Sequence, residues 1–84
     1  MFLRDLKTCL FQTIYMNDIK MASSILSCGF DIESRDKYHR TPLMVAYMLQ
    51  RPDFINLFLC NGADIFSVDS RNNGMEYYIN LIKF

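Results

Sequence analysis

The apolar residues after Leu43 fall into two short runs of helical spacing with a polar break between them. Leu43, Ala46, Tyr47 and Leu49 form the first run, and Phe54, Ile55, Phe58 and Leu59 form the second. Thr41 precedes the first run as an N-cap whose hydroxyl accepts from a backbone amide one turn on. Pro42 at the first helical position gives up only an amide that has no helical carbonyl to meet. This helix is short and ends near Gln50-Arg51, because the residue before Pro52 is biased away from helical geometry. Pro52 then opens a second helix. Asp53 sits in its first turn, where the helix dipole favours negative charge, and Gly62 supplies the left-handed residue that closes it.

The same unit lies upstream in a weaker form, at one fixed offset. That offset pairs Thr41 with Thr8, Leu43 with Leu10, Leu59 with Leu26, Gly62 with Gly29, Asp64 with Asp31, Ile65 with Ile32 and Asp69 with Asp36. In the upstream copy Thr8 is expected to cap a helix carrying Leu10, Phe11 and Ile14. A break at Asn17-Asp18 follows, and Met21, Ala22, Ile25 and Leu26 line a second helix ending at Gly29. After Asp69 the turn-rich stretch Arg71-Asn72-Asn73-Gly74 leads into Met75, Tyr78, Ile79 and Ile82, which share one helical face and make half of a third unit. The stretches Asp31 to Arg40 and Asp64 to Asn73 join successive units and are expected to project as hairpin-like fingers.

Thr41-Pro42-Leu43-Met44-Val45-Ala46 followed by Leu57-Phe58-Leu59-Cys60-Asn61-Gly62-Ala63-Asp64 resembles the ankyrin repeat, and with its upstream copy the resemblance covers residues 5 to 84. It implies an all-α fold, a solenoid of stacked helix-turn-helix units with hairpin-like loops. The expected divisions are an N-terminal capping segment at 1–7, repeats at 8–40 and 41–73, and a partial third repeat or capping helix at 74–84. The chain departs from the family pattern in several places. Cys9 stands in place of the proline, and Phe11 and Met44 stand in place of the histidine after the Thr-Pro-Leu triplet. Asn17-Asp18 and Gln50-Arg51 replace Gly-His between the helices, so the first helix of the second unit must end without glycine. Glu33 and Phe66 occupy the position where such repeats carry a hydroxylatable asparagine, which argues against that modification.

A chain of 84 residues is long enough for one small core. Folding at this size buries roughly 60% or a little more of the surface that the unfolded chain exposes. Each solenoid unit buries its apolar face only against neighbours, so the ends need covering. Phe2, Leu3 and Leu6 are expected to fold over the first unit, with Glu76, Asn80 and Lys83 facing water at the other end. Otherwise a second chain covers one end.

Basic and acidic residues balance to a net charge of zero, so no bulk field draws the chain to nucleic acid or to an anionic membrane. No apolar run approaches the roughly 20 residues that span a bilayer, and Met1-Phe2-Leu3-Arg4-Asp5 lacks the basic-then-apolar order of a secretory signal. These features predict an intracellular, cytoplasmic protein, or one in a host cytosol if it is a viral or bacterial effector. Cys9, Cys28 and Cys60 are odd in number and widely spaced, and are read as small buried or half-buried residues in a reducing compartment.

Catalysis has little to stand on. His39 is the only histidine, on an expected finger, and nucleophilic chemistry needs a base oriented beside a nucleophile. No glycine-rich phosphate loop is present. Asp31, Glu33, Asp36, Asp64 and Asp69 lack the glycine-centred loop of a calcium site and are read as turn caps. No catalytic residue, metal or cofactor is expected.

Recognition remains. The resemblance implies that partners are held by the fingertips and by the exposed face of each unit's first helix. Those positions are Asp5, Lys7, Tyr15 and Met16 on the first unit, and Arg35, Lys37, Tyr38, Arg40, Met48 and Leu49 on the second. Val68, Ser70, Arg71 and Asn73 begin the third. Tyr, Arg and Met are also the side chains enriched at interface centres. Tyr15, Tyr38, Met48 and Leu49 would form an apolar centre bordered by Arg35, Arg40 and Arg71, which suits an acidic partner protein. The competing account has Met16, Met48 and Leu49 packing under the next unit, Tyr38 bracing its hairpin, and Arg35, Lys37 and Arg40 as a solvated face. The expected role is a small inhibitor or adaptor that masks a partner surface, since an interface takes roughly 800 Å² per partner, nearly the whole concave side. The alternatives are a fragment or self-associating unit of a longer array with a scaffolding role, and, more remotely, a nucleic-acid binder using Arg35, Lys37, Arg40 and Arg71.

Overall fold

The Thr41 hydroxyl accepts from the Met44 amide at 3.3 Å, and the Thr41 amide lies 3.4 Å from the Met44 sulfur, so both ends of the capping box are filled. With Pro42 next in line, the helix starts where the local chemistry places it. The computed structural model describes residues 6–81. Its helices are α1 (Leu6–Met16), α2 (Ile19–Ser27), α3 (Pro42–Met48), α4 (Pro52–Cys60) and α5 (Met75–Asn80), and no strand occurs among the described residues.

α1 packs on α2, and α3 on α4, each pair joined by a link too short for anything but a reversal of direction. Contacts of α1 with α3 and of α3 with α5 form one layer, and α2 against α4 forms the other. The stack is elongated, 43 × 24 × 21 Å. Leu10, Ile14, Ala22, Leu43, Met44, Val45, Ala46, Phe54 and Phe58 are buried in its core. α3 lies at the centre and is buried without a break from Pro42 to Ala46, because α1, α4 and α5 surround it. Phe54 and Phe58, one turn apart on α4, seat that helix in the stack, with ring centroids 6.0 Å apart.

Three helices close on the same pair of backbone hydrogen bonds. The Asn17, Gln50 and Gly62 amides donate to the carbonyls of Ile14, Tyr47 and Leu59. The next amides, of Asp18, Arg51 and Ala63, reach back to Thr13, Ala46 and Phe58. This closure needs a left-handed residue. Gly62 supplies it with φ 82°, whereas Asn17 and Gln50 adopt φ 60° and 56° despite carrying side chains. Gly29 ends α2 in the same region, with φ 87°. The missing glycine between α3 and α4 is thus replaced by strain at Gln50.

Several sequence expectations need correction. Thr8 lies inside α1 and is exposed, so it caps nothing. Asp18 caps the other helix of that unit, its carboxylate accepting from the Met21 amide at the start of α2. α3 ends at Met48, just short of Gln50-Arg51, with Leu49 as its C-cap. Met21, Leu59 and Ile79 are 50%, 41% and 38% exposed rather than core. Cys28 and Cys60 are exposed and only Cys9 is half-buried. Phe2, Leu3, Ile82, Lys83 and the side chain of Leu6 lie outside the described residues, while Glu76 and Asn80 face solvent.

The units are tied by long-range polar contacts. Arg51 donates from Nε to the Ile14 carbonyl at 3.1 Å and from a terminal nitrogen to the Tyr15 carbonyl at 3.2 Å, covering the C-terminal end of α1. Glu33 accepts from the Asp64 amide at 2.6 Å. Arg35 reaches both the His39 carbonyl, at 2.8 Å, and the Val68 carbonyl on the next finger, at 2.6 Å.

Candidate functional site

The two fingers carry the same turn one repeat apart, built on Asp36 and on Asp69. Asp36 Oδ1 accepts from the amides of Tyr38 and Arg40, and Asp69 Oδ1 from those of Arg71 and Asn73, all at 2.9 Å. Backbone hydrogen bonds between Asp36 and Arg40, and between Asp69 and Asn73, close each turn, with His39 and Asn72 left-handed at φ 65°. An aspartate at the turn's first position satisfies amides that would otherwise face into the loop. Asp31 and Asp64 repeat the device one step earlier, accepting from the amides of Glu33 and Phe66. The aspartates are therefore turn organisers, as their sequence context suggested. Ser70 N donates to the Tyr38 carbonyl at 3.2 Å, docking the second finger on the first.

Arg40 occupies the middle of this surface. Its Nε donates to Asp36 Oδ2 at 2.8 Å, one terminal nitrogen meets the Met48 sulfur at 3.1 Å, and the other lies 3.5 Å from the Tyr15 hydroxyl. The guanidinium carbon lies 4.7 Å from the centre of the Tyr38 ring. Burial works to lower its pKa, but the hydrogen bond and charge of Asp36 outweigh that and raise it. Tyr38 and Arg40 separate two grooves. The first, of about 800 Å³, runs between α1 and the first finger and is lined by Phe11, Tyr15, Met16, Lys37, Tyr38 and Arg40 among others. The second, of about 240 Å³, lies between the fingers and α5 and includes Met48, Ser70, Arg71, Asn73, Tyr77 and Leu81.

The structure thus groups Tyr15, Met16, Lys37, Tyr38 and Arg40 in one place, and Met48, Ser70, Arg71 and Asn73 in an adjoining one. Arg35, Leu49 and Val68 line neither groove. Arg35 binds the fingers to each other, and Leu49 is half-buried against the core. Asp5 and the side chain of Lys7 lie outside the described residues. Phe11 and Tyr77 were missed as groove residues. Phe11 reads as core from its spacing, and Tyr77 sits on the α5 face opposite the apolar pattern that marks that helix. Both aspartates in the grooves are spent on their own turns. Lys37 and Arg71 are exposed and have no ion-pair partner among the described residues. Lys37 lies 5.2 Å from the Tyr38 ring centre.

Residues 38–73, from the first fingertip through α3 and α4 to the second finger, match the family model described as ankyrin repeat. The chain is an ankyrin-repeat protein. It is 36% identical over 53 residues to protein fem-1 homolog C of Xenopus laevis, a match covering 63% of this chain and 9% of that protein. It is 30% identical over 56 residues to potassium channel AKT2/3 of Arabidopsis thaliana, covering 67% of this chain and 7% of the channel. The chain spans under a tenth of the length of these curated relatives. An ankyrin repeat is a protein-interaction module, and its chemistry lies in the surface it presents. Among the described residues no helix is long and apolar enough to cross a membrane, and no group of three His, Cys, Asp or Glu side chains is arranged to hold a metal ion.

Proposed function

We propose that this ankyrin chain acts by occupying the surface of a partner protein with its two grooves and fingertips, as a small inhibitor or adaptor, and that the surface it covers is acidic. The observation that carries this reading is the fate of the charges. Asp36 and Asp69 are consumed by their own turns, while Lys37 and Arg71, exposed on either side of Tyr38 and Arg40, have no ion-pair partner among the described residues. The rim is therefore net positive although the whole chain is neutral. Tyr15, Met16 and Tyr38, at 48%, 68% and 52% exposed, supply the wide apolar contact such a rim surrounds. The working residues of this proposal are Tyr15, Met16, Lys37, Tyr38, Met48, Ser70 and Arg71, with Arg40 and Asn73 holding the shape.

The test is affinity capture from a lysate of the native source, comparing wild type with a Tyr15→Ala, Lys37→Glu, Arg71→Glu variant of equal helix content. One acidic protein retained by wild type and lost by the variant supports the proposal. Equal retention by both would show that the grooves are not the contact.

A further inference from the structure

The groove between α1 and the first finger has two chemically different walls, and the difference selects the kind of chain that fits between them. The α1 wall is largely apolar. Phe11 and Tyr15 line it one turn apart, with Gln12 and Met16 one turn apart beside them. The finger wall is polar, carrying Lys37, Tyr38 and Arg40. Phe11 is 7% exposed and forms the floor, whereas Met16 and Tyr38 stand exposed as the rims. A folded partner face would rest on those rims. A single stretch of chain reaches down to Phe11.

Spacing then fixes the conformation of that stretch. Residues one turn apart on α1 are separated by roughly 5–6 Å along the helix. In an extended strand alternate side chains share one side at about 6.7 Å, while the residue between them points the opposite way. A strand laid along α1 therefore sets two apolar side chains against the Phe11 and Tyr15 wall and turns the intervening one to the finger. The groove follows α1 from Thr8 to Met16, about 12 Å, which roughly four extended residues span.

Charge decides what the intervening residue is. Asp36 and Arg40 are paired with each other at 2.8 Å, so their charges offset. Lys37 lines the same groove, is exposed, and has no ion-pair partner among the described residues. Its ammonium lies 5.2 Å from the centre of the Tyr38 ring and so stays beside the groove. A side chain turned to the finger meets that unmatched cation. We propose that this groove takes an extended segment of the partner in which an aspartate or glutamate stands between two apolar residues. The inference rests on the reading that the grooves hold a partner protein, and adds that the first groove recognises a short linear sequence.

The experiment pans phage-displayed linear peptides of twelve residues, random at every position, against the full chain and measures the selected peptides by fluorescence anisotropy. The enriched sequences should share an apolar, an acidic and an apolar residue in succession. Lys37→Glu and Met16→Glu should each weaken binding about tenfold or more, the scale of losing one interface contact, and Lys37→Arg should retain it. Phe66→Glu adds negative charge on a residue that lines neither groove, and should leave binding within about twofold. Both groove variants replace exposed side chains, and helix content equal to wild type by circular dichroism shows that they are folded. No enrichment, a consensus with apolar residues three or four apart, or peptides indifferent to Lys37→Glu and Met16→Glu would overturn the proposal. If panning fails in one of these ways while the Tyr15→Ala, Lys37→Glu, Arg71→Glu variant still loses a captured acidic protein, the extended segment is refuted and the wider reading of the grooves stands.

Discussion

The Tyr78 hydroxyl donates to Asp69 Oδ2 at 2.5 Å, so the buried face of α5 is bolted to the turn at the second fingertip. Asp69 is thereby shared between organising a finger and anchoring the last helix. Burial pushes its pKa up, but hydrogen bonds from Tyr78, from the Asn73 and Arg71 amides and from the Asn73 side chain prevail and hold it at about 2. Burial, followed by the bond to Asp69, raises the Tyr78 pKa well above the usual phenol range.

These shifts set a pH window with opposite signs at its two ends. Asp69 has a folded pKa below its unfolded value, so its contribution is present above about pH 4 and is lost as the pH falls toward 2. Tyr78 has a folded pKa above its unfolded value, so its contribution is present below about pH 10 and is lost as the pH climbs through the alkaline range. Tyr78→Phe should cost about 1–2 kcal/mol at neutral pH and flatten the alkaline decline. Urea melts of both proteins between pH 2 and 11 check this, and an unchanged alkaline limb would refute it.

Arg51 holds two carbonyls at the end of α1 with one planar fork. Arg51→Met should lower stability by about 1–2 kcal/mol, and Arg51→Lys should recover less than half of that, because a single ammonium does not match the fork. Thermal melts would show it as a loss of roughly 4–8 °C per kcal/mol in a domain this small.

Gln50 closes α3 at φ 56°, a conformation that costs a residue with a side chain about 1–2 kcal/mol. Gln50→Gly should stabilise the chain by roughly 0.5–1 kcal/mol, the strain relieved being partly offset by the greater freedom of glycine when unfolded. Asn17→Gly should gain less, since asparagine tolerates the left-handed region better. Comparing urea midpoints of the two variants tests the order.

The basic residues of the fingers should separate into two classes. Arg40→Glu sets like charges beside Asp36 and removes the contact with Tyr38, so a loss of about 2 kcal/mol or more is expected. Arg35→Met should speed hydrogen exchange at the Ser70 and Asn72 amides by unlinking the fingers. Lys37→Glu and Arg71→Glu should leave stability within about 0.5 kcal/mol, as exposed charges do. A large loss in either of the last two would assign them to the fold.

Much of the architecture was legible in the sequence because it is written at short range. Thr41-Pro42 starts α3 and Gly29 and Gly62 stop α2 and α4, since caps, helical period and left-handed glycines act within a turn of their own residue. The repeat carried the rest, multiplying one readable unit along the chain. The Thr8 expectation failed on that same logic. A cap by analogy was assigned where the helix had already begun at Leu6, and the second helix's cap at Asp18 went unread.

The site was less legible, because the sequence places charges and aromatic rings on the fingers without showing which are already engaged. Only the stacking of units decides that. Arg35 meets Val68 on the next finger, Arg40 meets Tyr15 on α1, and Arg51 meets Ile14 on the same helix, so these arginines are spent, while Lys37 and Arg71 have no ion-pair partner among the described residues. Tertiary structure likewise decides that Ile32 is covered and Ile65 is bare, though both occupy the same place in the repeat. Period and capping are properties of a few neighbouring residues, whereas burial and free charge depend on what the next unit brings against them.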